Sequence, residues 1–341
     1  MYRPTVSVII PTVNRPAVRE AVLSVLNQTY PPHEVIVAVD RPDKQVPSVL
    51  DDLRDKISIV FSGGIGVAGA RTRALSEATG EVVAFLDDDD QFVPEKLERQ
   101  LAMWPTGDDA KRHTFISCRF VMVAPDGELL RSLPRRLIAP GESLANYVFR
   151  RTTIRYAEGA INPSTLICDR ELFNVEPWNE QVLLHEDWDW MLRLDLRDDV
   201  DILMSPEVLL RVKVGDAGSL SRSAKWERSF LFAQQHGEFM TPRELGDFLL
   251  AVTASLAIWA GKRGDALRIA RYALTKARPG PHAWLVWAIT MLPAGLVDRG
   301  SLLFHRLFSE KLPPSSDPTV GQANLAAGSS NTLGDAARTG G

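Results

Sequence analysis

The chain has 341 residues, 45% of them hydrophobic and 24% charged, with a formal net charge of −4. That composition fits a soluble globular protein of about two domains with ample material for a core. It excludes the strongly basic footprint of a nucleic-acid-binding protein, and Cys118 and Cys168 lie too far apart to mark a metal motif or a disulfide framework.

The first ninety residues alternate in type. Val6–Ile10 is a β-branched run that predicts a strand buried on both faces. It is short and broken by Pro11, so it does not read as a secretory signal, and the expected location is the cytoplasm. Apolar residues at helical spacing predict a helix over Ala17–Asn27. Strands are expected at Glu34–Val39, Ile57–Phe61 and Val82–Leu86, with helices at Val46–Leu53 and Gly69–Ala78. Strands alternating with helices predict an α/β fold built on a mostly parallel sheet. Ligands then bind beyond the carboxyl ends of the strands, at the loops Pro11–Pro16, Asp40–Asp43, Ser62–Gly69 and Asp87–Gln91.

Beyond Pro105 the pattern is less regular. A strand is expected at Phe115–Val123, short strands at Ile202–Met204 and Val208–Val214, and a helix at Asp187–Leu196. Helices follow at Arg228–Gln235, Arg243–Trp259, Asp265–Lys276 and Ala283–Leu292. The last thirty residues carry few large apolar groups and are expected to be disordered. The domain reading is 1–221 catalytic, 222–311 helical and 312–341 tail. No segment reaches the ~18–20 apolar residues of a membrane span. Arg278–Asp298, with Trp284 and Trp287 on one helical face, is expected to pack on the catalytic domain or in a homodimer. The weaker reading is peripheral contact with an anionic membrane.

Four consecutive carboxylates, Asp87–Asp90, end the apolar run Val82–Leu86. Such a cluster suits a hard divalent cation, Mg²⁺ or Mn²⁺, sharing its ligands with a diphosphate; the bland reading is a solvated turn. Asp40 ends the second strand on the same sheet edge, and alone would pass for a turn residue. Gly64-x-Gly66-x-x-Gly69 follows a strand and opens a helix, so an NAD(P)-dependent oxidoreductase has to be weighed. Its place after the third strand and the four acids that follow count against that. Arg71 in this helix is a candidate anion ligand. A second acidic cluster, Glu186, Asp187 and Asp189, starts a helix beside Trp188 and Trp190, either as dipole-stabilising acids or as a general base beside a sugar-stacking surface.

In order along the chain, VSVIIPTVNRP, LNQTYPPHEVIVAVD, GVAGARTRALSEATGEVVAFLDDDD, NPSTLICDRELF and HEDWDWMLRL resemble the family-2 glycosyltransferases of the GT-A fold. The resemblance covers about Val6 to Ser221. It implies a metal-dependent, inverting transferase that moves sugar from a nucleotide-diphosphate donor, a UDP-sugar, to a glycan or lipid-linked acceptor. It assigns the nucleotide to Pro11, Thr12, Asn14, Arg15, Asp40, Arg71, Asp87 and Asp88, and the metal to Asp87 and Asp89. Asp187 becomes the base with Glu186 beside it, and NPSTLICDRELF the acceptor side. Arg41 and Thr72 depart from the family pattern, and Lys213 stands closest to where the family often has His, leaving a third metal ligand open or a diphosphate contact for Lys213. A non-catalytic nucleotide- or carbohydrate-binding protein of this fold is the third alternative.

Overall fold

The structure, a computed structural model, describes residues 3–108, 110–214 and 225–292, and these fall within one compact unit. The expected boundary at 221, the Gly215–Ser221 segment and the tail from 312 lie outside the described residues.

The N-terminal half builds a parallel sheet from β1 (Val6–Thr12), β2 (Glu34–Val39), β3 (Ser58–Phe61) and β4 (Val82–Phe85), in the order β3-β2-β1-β4. Helices α1 (Val18–Leu26) and α2 (Val67–Leu75) cross over its two faces and separate two cores. All seven residues of β1 are buried, as its unbroken apolar run requires. The expected helix at Val46–Leu53 is instead a 3₁₀ segment, Ser48–Leu53. Only Leu50 and Leu53 anchor it, three residues apart, which matches a three-residue turn.

Beyond β4 the sheet is mixed. β5 (Asp90–Phe92), α3 (Lys96–Leu101), β6 (His113–Val123), β7 (Leu129–Leu133), α4 (Leu144–Phe149), β8 (Ile167–Asp169), α5 (Leu172–Val175), α6 (Glu186–Leu194) and β9 (Val200–Lys213) follow in turn. The sheet continues β4-β8-β6-β9-β5, with β7 on β6. The two short strands expected at 202–204 and 208–214 are one strand, β9. It runs through Pro206 because the β6–β9 register shifts at Cys118–Phe120, where a bulge absorbs the proline's missing donor.

The C-terminal helices α7 (Trp226–His236), α8 (Pro242–Phe248), α9 (Ala254–Trp259), α10 (Arg263–Lys276) and α11 (Pro281–Thr290) pack around a third core. Thr241 and Glu244 form a capping box that starts α8. One π-helical stretch, Leu249–Thr253, joins α8 to α9, so the expected helix Arg243–Trp259 is continuous but underwound at its centre. This core takes in Ala145 and Phe149 of α4 and Leu192 of α6, so the helical region is packed directly behind α6.

Candidate functional site

The carboxyl ends of β1 and β4 bring the first acidic cluster against the Pro11–Arg15 turn. Thr12 donates to Asp88 at 2.6 Å. Arg15 reaches Asp89 at 2.6 Å and Asp88 at 3.2 Å. Asn14 holds a left-handed backbone, φ 71°, and donates to the Gln45 carbonyl at 2.6 Å. Its Oδ1 is buried and accepts no hydrogen bond in the structure, so an acceptor is available there for a ligand. Burial pushes the Asp88 carboxyl up to about 6, against the opposing Thr12 and Arg15. Asp90 is buried and raised well above the ordinary carboxylate range, first by desolvation and then by Asp87 and Asp89.

The second acidic cluster is brought to the first by a single buried cation. Arg71 on α2 is 2% exposed. Its guanidinium pairs with Asp87 at 2.9 Å and with Glu186 at 3.3 Å, across 115 residues of sequence. Trp178 lies against it, 5.2 Å from the ring centroid, and its Nε has no partner. Because α2 begins at Val67, Arg71 sits in its second turn. Asp187 follows Glu186 at the start of α6 and is half-buried. Burial pushes its carboxyl up to about 7, Glu186 adds repulsion, and Arg71 pulls it back. Asp189 faces away, paired with His236 at 2.8 Å and with Arg193 at 2.9 Å.

His185 sets the start of α6 from a left-handed backbone, φ 69°. Its imidazole stacks on Trp188 at 4.2 Å and bonds Ser229 of α7 at 3.0 Å, and Ser229 meets Thr253 of the π turn at 2.9 Å. Burial holds His185 neutral, its pKa pushed down to about 3. The C-terminal helices therefore fix where Glu186 and Asp187 begin.

Asp40 is engaged differently from its expected role. Its carboxylate accepts from the Ser62 hydroxyl at 2.7 Å and from the amides of Gly64, Ile65 and Gly66 at 2.9, 2.8 and 2.8 Å. The dinucleotide alternative needs the amides of this glycine turn to face a pyrophosphate; a protein carboxylate already fills them. Gly64 and Gly66 hold φ of 84° and 94°, which explains the glycines without a cofactor.

The side chains of three other expected residues are engaged elsewhere. Trp190 is fully buried, donates to the Glu176 carbonyl at 2.8 Å and stacks on Phe173 and Trp178, so it has no face to offer a sugar. Trp188 is half-buried among His185, Phe149 and Phe248. The Lys213 ammonium is paired with Glu20 on α1, while its backbone N–H reaches Asp90.

Ser164 carries no signal in sequence beyond its place in NPST. Its hydroxyl accepts from the Asp87 amide at 2.9 Å and donates to Asp90. Behind it, the Thr165 carbonyl takes Gln100 at 2.8 Å and Lys96 at 3.4 Å. Lys96 is fully buried with Gln100 at 2.5 Å and the Phe92 ring at 4.3 Å, and desolvation pushes its ammonium down to about 8.

Among the described residues no three His, Cys, Asp or Glu side chains converge to cage a metal. The acidic loop still fits a hard dication by its donor chemistry. Asp87 and Asp89 alternate and keep partly exposed oxygens, while burial, with the neighbouring carboxylates adding to it, raises the pKa of Asp88 and Asp90. Mg²⁺ or Mn²⁺ binds in this way, through one or two carboxylates with water and phosphate completing the shell.

Residues 7–137 match the family described as Glycosyl transferase family 2. The chain is 31% identical over 196 residues to the amylovoran biosynthesis glycosyltransferase AmsB of Erwinia amylovora, covering 55% of this chain and 63% of that one. It is 38% identical over 105 residues to the putative teichuronic acid biosynthesis glycosyltransferase TuaG of Bacillus subtilis, covering 29% and 42%. Over 101 residues it is 38% identical to UDP-Glc:alpha-D-GlcNAc-diphosphoundecaprenol beta-1,3-glucosyltransferase WfgD of Escherichia coli, covering 29% and 40%. The chain thus spans less than two thirds of the length of each of these relatives. The sheet is parallel where it carries the acidic loop and mixed beyond. Over residues 7–137 the chain is thus similar in sequence to glycosyltransferase family 2.

Proposed function

We propose that the protein transfers a sugar from a nucleoside-diphosphate donor, a UDP-sugar, to a hydroxyl of a glycan or lipid-linked acceptor, with inversion at the anomeric carbon. The observation that supports this is the Arg71 bridge, one buried cation paired with Asp87 of the acidic loop and with Glu186, next to Asp187 whose pKa is raised. The donor class and the lipid-linked acceptor follow those of the E. coli glucosyltransferase.

Asp187 takes the proton of the acceptor hydroxyl, whose oxygen attacks the anomeric carbon as the bond to the nucleoside diphosphate breaks. A carboxyl held near neutral pH is suited to this role. Asp87 and Asp89 would hold a divalent cation, which neutralises the departing diphosphate. Arg71 orients Asp87 and Glu186, and Arg15 orients Asp88 and Asp89. Asn14 offers its buried acceptor to the nucleotide, and Asp40 braces the glycine turn beside it.

A screen of nucleotide sugars for Mn²⁺-dependent hydrolysis tests the reading, with Asp187→Asn as control. UDP-sugar turnover that collapses in the variant supports it. NAD(P) binding without UDP binding would favour the oxidoreductase, and UDP binding with no turnover of any donor would favour a binding protein.

A further inference from the structure

We propose that the end of the C-terminal helical bundle where α9, α10 and α11 meet is a docking surface for an anionic lipid bilayer. The inference stands on this surface and does not depend on the transferase reading.

The three helix ends are joined. Trp259 closes α9, Arg263 opens α10, and the Arg263 guanidinium donates to the Leu292 carbonyl, just past α11, at 3.4 Å. Trp259 is 68% exposed at this junction. An exposed tryptophan is a poor choice for a surface that meets only water, but its amphipathic ring suits a membrane interface. The exposed line of α11, Leu285, Ile289 and Leu292, is apolar, and the helix carries no Asp, Glu, Lys or Arg. On α10 the exposed face alternates Leu267 and Leu274 with Arg268 and Arg271.

Charge selects the occupant. From Trp259 to Leu292 there are six Lys or Arg residues and one acid, Asp265, in a chain whose net charge is −4. All six basic residues are exposed; Lys262 and Arg263 lie at the junction itself, Arg268 one turn on pairs with Asp265, and Lys276 and Arg278 stand at the far end of α10. Basic side chains around apolar anchors match an anionic headgroup layer. They oppose pairing with a second copy, which would bring like charges together. Among the described residues no helix is long and apolar enough to cross a membrane, so the contact is one of lying on the surface.

The full-length protein is floated with vesicles of phosphatidylcholine alone or doped with phosphatidylglycerol. Binding is expected only with the anionic lipid, weakening as salt is raised. Lys262→Gln/Arg271→Gln should weaken it about 30-fold, from the contribution expected for each basic residue near such a surface. Trp259→Ala should also weaken it, with the thermal midpoint and UDP binding of both variants unchanged. No binding to anionic vesicles, or binding indifferent to both variants, overturns the proposal. A dimer by light scattering that Trp259→Ala dissolves, with no vesicle binding, assigns the surface to a second copy and also overturns it.

Discussion

Asp87 and Glu186 share one cation. The Arg71 guanidinium lies 2.9 Å from the first and 3.3 Å from the second, buried between them. Removing one member of such a group leaves charge stranded in a poorly solvated place. Arg71→Met is expected to destabilise the fold by about 3–5 kcal/mol and to lower kcat/KM by about 100-fold through misplaced carboxylates. Arg71→Lys, a point charge without the planar fork, should restore stability more than activity. Thermal unfolding and donor hydrolysis on the same samples check both.

The acidity of Asp187 sets a pH profile. A base must be ionised, and burial with Glu186 beside it raises its pKa to about 7. Activity should therefore be lost as pH falls through 7 and reach a plateau above it. Asp187→Asn should flatten the profile and lower kcat by about 10²–10⁴-fold. A wild-type profile flat from pH 5 to 8 would remove Asp187 as the base.

Divalent metal should strengthen UDP binding through the acidic loop. Calorimetry of UDP with and without Mn²⁺ should show metal-dependent affinity, abolished by a chelator and by Asp89→Asn. Asp89→Asn also loosens Arg15, so circular dichroism accompanies the titration to separate lost metal from lost structure.

Asp40 tests the glycine turn. Asp40→Ala strands three backbone amides and the Ser62 hydroxyl. Hydrogen exchange at Gly64–Gly66 should accelerate, with a stability loss of about 1–3 kcal/mol. Protection unchanged from wild type would mean that the turn holds itself.

Lys96 is a buried ammonium with a carbonyl, an amide and an aromatic ring around it. Its folded pKa, about 8, lies below its ordinary 10.5, so the unfolded chain holds the proton more tightly. Stability should be lowest below pH 8 and rise as pH climbs from 8 to 10.5. Lys96→Met should add about 1–2 kcal/mol at pH 7, the relief of burying charge minus the lost bond to Gln100. Denaturant titrations at several pH values decide it.

Much of the parallel half was legible. Strands buried on both faces announce themselves as unbroken apolar runs, and β2 falls where Glu34–Val39 predicts it. β5 and β8 are three residues each, too short for any period, and their pairing rests on distant partners. Both acidic clusters could be named from residue type and place. Their meeting could not, because no local pattern reveals that an arginine will be buried against an acid 115 positions away. Trp190 shows the opposite failure. A tryptophan beside an acidic helix start looks the same in sequence whether it faces ligand or core, and here the stack with Phe173 and Trp178 claims it. Asp40 could be named from its place at a strand end, while its partners in the following crossover could not.

Ser164 takes the Asp87 amide and gives its one proton to Asp90, so both ends of the acidic loop are pinned to a single buried oxygen. The four acids then move as one body with the turn at 162–165, like teeth on a key. Such a floor cannot reshape itself for donors of different size. On the other side of Asp88 and Asp89, Asn14 keeps a left-handed backbone and donates to the Gln45 carbonyl. On the proposed reading, exchanging that turn with the acids untouched would be expected to change the donor.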